Sequence, residues 1–279
     1  MRNILLTMLF FVTSFSFAQA TYETTGNSTD WDSTSAWSLV TGSAADSDAN
    51  GVPDSNDNVQ IKHDVTVDSN NACLDLDTYW DGSRKIITVT NSATLSVNGD
   101  LTNNGEIILG IGAGAKGTMN ISGSILDNNT FITINEGSTM ILSSSTLMRS
   151  DGQLTINSSS STFGSLVMPG TYTVDGGGSG FEYGRYVNSV GNGWDLISSP
   201  VDGLEISSFI GTNSDVATNG SDPTQYAVGV YTNTAAASAA GNEWQNYTSS
   251  SVGSTEFDDS KGYQMATTGG SKVEFRGVP

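Results

Sequence analysis

Short apolar positions alternate with small polar ones through the middle of the chain: Leu95 and Val97, then Met119 and Ile121, then Met140 and Leu142. A period of two over a few residues is the pattern of a half-buried strand. The strands also recur. Residues 93–109, ATLSVNGDLTNNGEIIL, align without gaps to residues 117–133, GTMNISGSILDNNTFIT, at an offset of 24. That alignment sets Leu95 on Met119, Val97 on Ile121, Gly99 on Gly123, Leu101 on Ile125, Asn104 on Asn128 and Ile108 on Ile132. A third copy, STMILSSSTLMRSDGQLTI, follows from Ser138 to Ile156 at an offset of 21 to 22. Between the strands fall NNG, DNN and SDG, residues that tolerate the positive φ of tight corners. A unit of this size with no helical pattern cannot bury its apolar face alone and must stack on its copies. The pattern predicts an all-β chain built on a right-handed parallel β-helix, a β-solenoid of four or five rungs over residues 59–165. An antiparallel sandwich also shows short alternating strands, but it does not require a register-preserving repeat.

After Ser165 the pattern changes. MPGTYTVDGGGSG, residues 168–180, is a proline turn followed by a glycine run, which predicts a linker over 166–180. Beyond it Trp194, Tyr226, Tyr231, Trp244, Tyr247, Phe257, Tyr263 and Phe275 are spread over a non-repeating segment with strands such as YAVGVYT. This predicts a second, sandwich-like β module over 181–279. Its last residues, KVEFRGVP, read as a strand with no closing element, so the module is expected to be truncated and the sequence to be the N-terminal part of a longer protein.

At the other end, MRNILLTMLFFVTSFSFAQA has a positive start at Arg2, an apolar run and small residues at Ala18 and Ala20. That is a secretory signal peptide over residues 1–20, with cleavage after Ala18 or Ala20, and it predicts a secreted or cell-surface protein. The run is too short to span a bilayer, and no later window approaches the length a span needs.

Composition narrows the chemistry. The net charge is −19 with only ten Lys and Arg, so the summed field repels nucleic acid and anionic lipid, while divalent cations complement it. The single cysteine, Cys73, excludes an internal disulfide and reads as a packed thiol. One histidine, His63, is too little for a zinc cluster or a histidine-based triad built in the usual way. No catalytic residue is assigned.

The densest chemical signal is DSDANGVPDSNDN, residues 46–58. A hard cation takes six to eight oxygens, and alternate side chains of a tightly wound loop converge on it. Asp46, Asp48 and Asn50 stand at loop positions 1, 3 and 5, and Gly51 at the sharp turn. The Val52 carbonyl, Asp54 and Asp57 stand at positions 7, 9 and 12. Pro53 and the small polar flanks argue against helices on either side. Four carboxylates held together without a cation disfavour one another's ionised form. The plainer reading is that these residues make solvated turns on the way into the first strand. The two readings are compatible, since a calcium ion could clamp an N-terminal cap over residues 21–58 and protect the open edge of the first rung.

Three stretches resemble known families. WDSTSAW (31–37), GVP (51–53), DNVQI (57–61) and VTVD (65–68) resemble the opening of the eight-glycine β-helix domain of extracellular proteins. YGRYVNSVGNGWDLISSPVDG (183–203) and FDDSKGY (257–263) resemble a module of large surface proteins exported by the type IX secretion system of Bacteroidota. The acidic loop resembles a thrombospondin type 3 or dockerin-like calcium repeat. Together these resemblances imply a cell-surface or secreted β-helix protein with calcium as its ion, and name no catalytic residue. The leading expectation is a non-enzymatic structural or adhesive surface protein, whose partners are surface polysaccharide or other cell-surface proteins. The alternative is a polysaccharide-binding or lyase-like polysaccharide-degrading β-helix.

Overall fold

The computed structural model describes residues 19–42, 50–112, 114–143, 147–174, 180–234, 243–258 and 260–279. Most of the signal-peptide segment (1–18), Asp46 and Asp48 of the acidic loop, and residues 175–179 of the glycine run therefore lie outside the described residues. Among the described residues no helix is long and apolar enough to cross a membrane.

The chain enters with β1 (Thr21–Thr24) and β2 (Trp37–Thr41), and then winds as five strand triplets, a path of between four and five turns. These are β3 (Asn58–Ile61), β4 (Val65–Val67) and β5 (Asn71–Cys73); β6 (Leu76–Thr78), β7 (Ile86–Val89) and β8 (Ala93–Val97); β9 (Leu101–Asn103), β10 (Glu106–Leu109) and β11 (Gly117–Ile121). β12 (Ile125–Asn128), β13 (Phe131–Ile134) and β14 (Thr139–Leu142) follow, then β15 (Leu147–Ser150), β16 (Gln153–Ile156) and β17 (Ser165–Val167). Each strand pairs in parallel with its counterpart one coil away, giving three sheets around one core. The expected parallel β-solenoid is therefore the architecture of this region.

The register shows why the apolar spacing works. On the first sheet one inward ladder runs Tyr22, Val59, Leu76, Leu101, Ile125, Met148, Tyr172. On the second, Val65, Ile87, Ile107, Ile132, Leu154 and Phe181 stack in the same way. The third carries Leu95, Met119, Met140 and Leu166, with Cys73, Val97, Ile121 and Leu142 beside them. Cys73 is fully buried, and burial, followed by the charges of Asp75 and Asp57, pushes its thiol far above the usual range. It is a packed, unreactive side chain, as expected.

The ungapped repeat needs one correction. Leu95, Val97 and Leu101 pair with Met119, Ile121 and Ile125 as aligned, but the register shifts between Ile125 and Asp127. Beyond that bulge Asn103 pairs with Asn128, and Ile107 with Ile132, in place of Asn104 and Ile108. One extra residue in a strand exchanges its two faces, so the bulge is what keeps Ile107 and Ile132 in the core.

The ends of the solenoid differ from a bare stack. β1 adds in parallel to β3, and β2 folds back antiparallel to β1, so the first sheet's edge is an antiparallel strand. Fully buried Trp31 meets Trp37 edge to face at 4.8 Å beneath this cap. At the other end the expected linker contains strands. β17 and then β18 (Thr171–Val174) continue the third and first sheets, because Leu166 and Tyr172 still supply the inward positions. Pro169 and Gly170 turn the corner between β17 and β18.

Nor does the second module stand apart. β19 (Gly180–Val187) stacks on β16 as the next strand of the second sheet. The chain then makes β20 (Asp195–Ile197), a short helix α1 (Ile206–Thr212) absent from the sequence expectations, β21 (Thr218–Asn219), β22 (Asp222–Tyr231), β23 (Trp244–Thr248) and β24 (Tyr263–Met265). β25 (Ser271–Gly277) returns to pair antiparallel with β19. The antiparallel sheet of β20 to β24 faces the β19–β25 pair across a cluster of Phe209, Phe257, Tyr263 and Phe275, with ring centroids 4.8 to 5.9 Å apart. This shared aromatic core makes the module sandwich-like and continuous with the solenoid.

Candidate functional site

The chemistry at the N-terminal end is built by the cap. Thr66 of β4 donates its N–H to the Thr29 carbonyl and accepts from the Trp31 N–H at 3.0 Å, so residues 29–31 lie along β4 like a further strand. Trp31 turns inward and is buried, which leaves its neighbours Asp30 and Asp32 outward. Asp30 is in register with Thr66, and extending that parallel register by two residues sets Asp32 beside Asp68. Among the described residues one group of carboxylates converges: Asp30, Asp32 and Asp68 are exposed, with one oxygen of each within 4.8 Å of the others. Asp30 Oδ1 accepts the Asp32 N–H at 2.9 Å, and Asp32 Oδ2 accepts the Ser69 hydroxyl, so two of the three are held in place.

Asp32 also lines an open groove of about 780 Å³ at the β5 edge of the third sheet. Its other wall is the second half of the acidic loop, with Asn50, Val52 and Asp54 among the lining residues, and its floor includes Asn71 and Thr94. Of the six expected metal ligands, Asn50, Val52 and Asp54 therefore share one groove with Asp32. Asp57 is not among its lining residues: its carboxylate is turned inward, 1% exposed, and accepts the Asp54 N–H at 3.0 Å. Asn50 Oδ1 accepts the Val52 N–H at 2.7 Å around Gly51, whose φ of +78° is the left-handed turn expected there. Asp54 Oδ1 accepts the Asn56 N–H at 2.8 Å. The described half of the loop is thus a pair of carboxylate- and amide-capped turns leading into β3. No sequence motif joins Asp30, Asp32 and Asp68, because the first two lie far from the third along the chain and the pairing of Asp30 with Thr66 unites them.

At the opposite end, the outer face of the β20–β24 sheet exposes Trp194, Leu196, Tyr231 and Trp244, at 42%, 67%, 51% and 42%. This concentration of large apolar side chains on one sheet face is unusual for a surface. No family model, curated protein or solved structure matches the chain at a level that would establish a relationship. Fold and side chains are what define it: a protein of the parallel β-solenoid class with an acidic cap at one end and an aromatic face at the other.

Proposed function

We propose that the chain is a non-enzymatic extracellular structural and adhesive protein, in which a calcium-stabilised β-solenoid carries a β module outward as its adhesive end. The observation behind this reading is the single core that runs without a break from Tyr22 in the cap to Phe275 in the module. Such a stack is a stiff spacer, because each coil is fixed on its neighbours by three sheets at once. Resemblance to eight-glycine β-helix and type IX cargo modules supports a place at the cell surface. The exposed aromatic face supports adhesion, and specific turnover of a polysaccharide by the purified chain overturns the reading.

Export fits the cap. Ala20 is fully buried, its carbonyl accepts the Asn58 N–H at 2.9 Å, and Gln19 Nε2 donates to Asn58 Oδ1 at 2.9 Å. Cleavage after Ala20 would remove these contacts, so the exported chain is expected to begin at Gln19. N-terminal sequencing reads this directly, and a start at Thr21 contradicts it.

Calcium is the ion proposed for the cap, held by the acidic loop together with Asp32, which borders the same groove, and the Asp30 and Asp68 carboxylates that converge on Asp32. Extracellular sites of this kind bind at about 10⁻⁴ to 10⁻³ M. Calcium at a hundredfold excess over its dissociation constant is expected to add about 2.7 kcal/mol, raising the melting temperature by roughly 5–10 °C. Chelator removes the rise. Asp46→Ala with Asp48→Ala, and separately Asp30→Asn with Asp32→Asn and Asp68→Asn, are each expected to diminish it. An unchanged melt in calcium, or a rise equal in both variants and the parent, removes calcium from the reading.

A further inference from the structure

The outer face of the terminal sheet is organised around a pair of amides. One row across the sheet runs Leu196 on β20, Gln264 on β24, Gly229 on β22 and Asn246 on β23. Gln264 Nε2 donates to Asn246 Oδ1 at 2.6 Å, spanning β22 above Gly229. A Cβ at position 229 would sit 2.4 Å from Asn246 Oδ1 and 3.0 Å from Gln264 Nε2, so glycine is what lets the amides meet. The bond uses one donor of Gln264 and one acceptor of Asn246. Gln264 Oε1 and Asn246 Nδ2 remain to serve a ligand as acceptor and donor.

Aromatic rings frame these amides. Tyr231 and Trp244, opposite one another on β22 and β23, meet edge to face at 5.2 Å. Trp194 lies two residues before Leu196 and therefore on the same side of β20. Trp194 and Trp244 enclose a cleft of about 290 Å³ with Leu196 and Gln264. A second cleft of about 270 Å³ has Asn219, Gln225, Tyr226 and Asn246 in its lining. Trp194 lines both clefts.

Indole faces beside amide donors and acceptors match a pyranose ring. Its axial C–H groups give an apolar face that stacks on an aromatic ring, and its equatorial hydroxyls take up amide hydrogen bonds at the rim. Two clefts that share one tryptophan suit consecutive sugar units of a chain. Charge selects among glycans. Among the described residues neither cleft is lined by Lys or Arg, and Asp195, the one carboxylate in their lining, accepts from the Asn188 N–H at 2.7 Å and Nδ2 at 3.2 Å. With a net charge of −19 on the whole chain, a polyuronate would meet repulsion and no cation.

We propose that this face binds a neutral polysaccharide, with successive sugar units in the two clefts and Trp194 shared by both. The proposal rests on the adhesive reading above and names its ligand. The test mixes the chain of residues 19–279 with microcrystalline cellulose, chitin, xylan or mannan, with alginate as the anionic polymer, and measures depletion from solution. At least one neutral polymer is expected to deplete the protein, and alginate to leave it in solution. Trp194→Ala with Trp244→Ala is expected to weaken binding about tenfold or more, and Gln264→Ala to weaken it less. Should the double variant lose the thermal transition of the parent, Leu196→Ala gives the same reading at a highly exposed position. Depletion by none of the neutral polymers, or equal depletion of parent and tryptophan variant, overturns the proposal. Adhesion of the tryptophan variant to bacterial cells, undiminished while glycan binding is absent in both proteins, overturns the glycan ligand alone. Release of reducing ends in step with binding supports the ligand and overturns the non-enzymatic reading.

Discussion

Replacing Asn103 with alanine is expected to destabilise the solenoid by about 3 kcal/mol, lowering its melting temperature by roughly 6–12 °C. Thr78, Asn103 and Asn128 are buried at 0% exposure in successive coils. Thr78 Oγ1–H donates to Asn103 Oδ1 at 2.7 Å. Asn103 Nδ2 in turn donates to Asn128 Oδ1 at 2.8 Å and to the Phe131 carbonyl at 3.1 Å. Thr78 Oγ1 also accepts the Gly105 N–H at 2.6 Å, so the ladder fixes the corner as well as the stack. Removing its central amide strips partners from groups that water cannot reach, at about 1–3 kcal/mol for each one left unsatisfied. Asn104→Ala is the control. Asn104 Oδ1 accepts an exposed bond from Asn129 Nδ2, so its loss is expected to change stability by less than about 1 kcal/mol. Urea unfolding of the two variants side by side separates them, and equal midpoints would sink the ladder as a source of stability.

The second large effect concerns neighbours in one strand. Ile107→Ala is expected to cost about 2–5 kcal/mol, because Ile107 is fully buried between Ile87 and Ile132 and its truncation leaves a cavity. Ile108→Ala, on the outward side of the same strand, is expected to stay below about 1 kcal/mol. The ungapped alignment instead sets Ile108, not Ile107, on the fully buried Ile132. Denaturant midpoints therefore test the bulge after Ile125 itself, and a larger loss at Ile108 than at Ile107 would refute the register described above.

What could be read from the sequence, and what could not, follows from the range of the forces involved. Strand alternation and corner residues are local, so Leu95, Met119 and Met140 announced their sheet and NNG its corner without any structure. A bulge is decided by the neighbouring coils on either side, which no single strand encodes, and so the register beyond Ile125 was misread by one residue. Leu166 and Tyr172 are not legible as core because Pro169 and Gly170 between them punctuate a coil in the same way they punctuate a linker. In the acidic loop the residue types were plain, but the inward turn of Asp57 depends on its bond to the Asp54 N–H, and the meeting of Asp30 with Asp68 depends on strand pairing. The amide pair above Gly229 was illegible for the same reason, since its partners come from β23 and β24.

The connectivity also sets an order of assembly. Each solenoid coil pairs with the coils directly before and after it, so a chain delivered from its N-terminus finds the earlier partner strand of each new coil already in place. Such short closures are fast compared with long-range pairing. The terminal module departs from this: β24 returns to β20, and β25 returns to β19 across the whole module, joining Gly277 to Phe181. The stalk can thus stand complete, coil upon coil, while the strand that closes its far end is still the last to arrive.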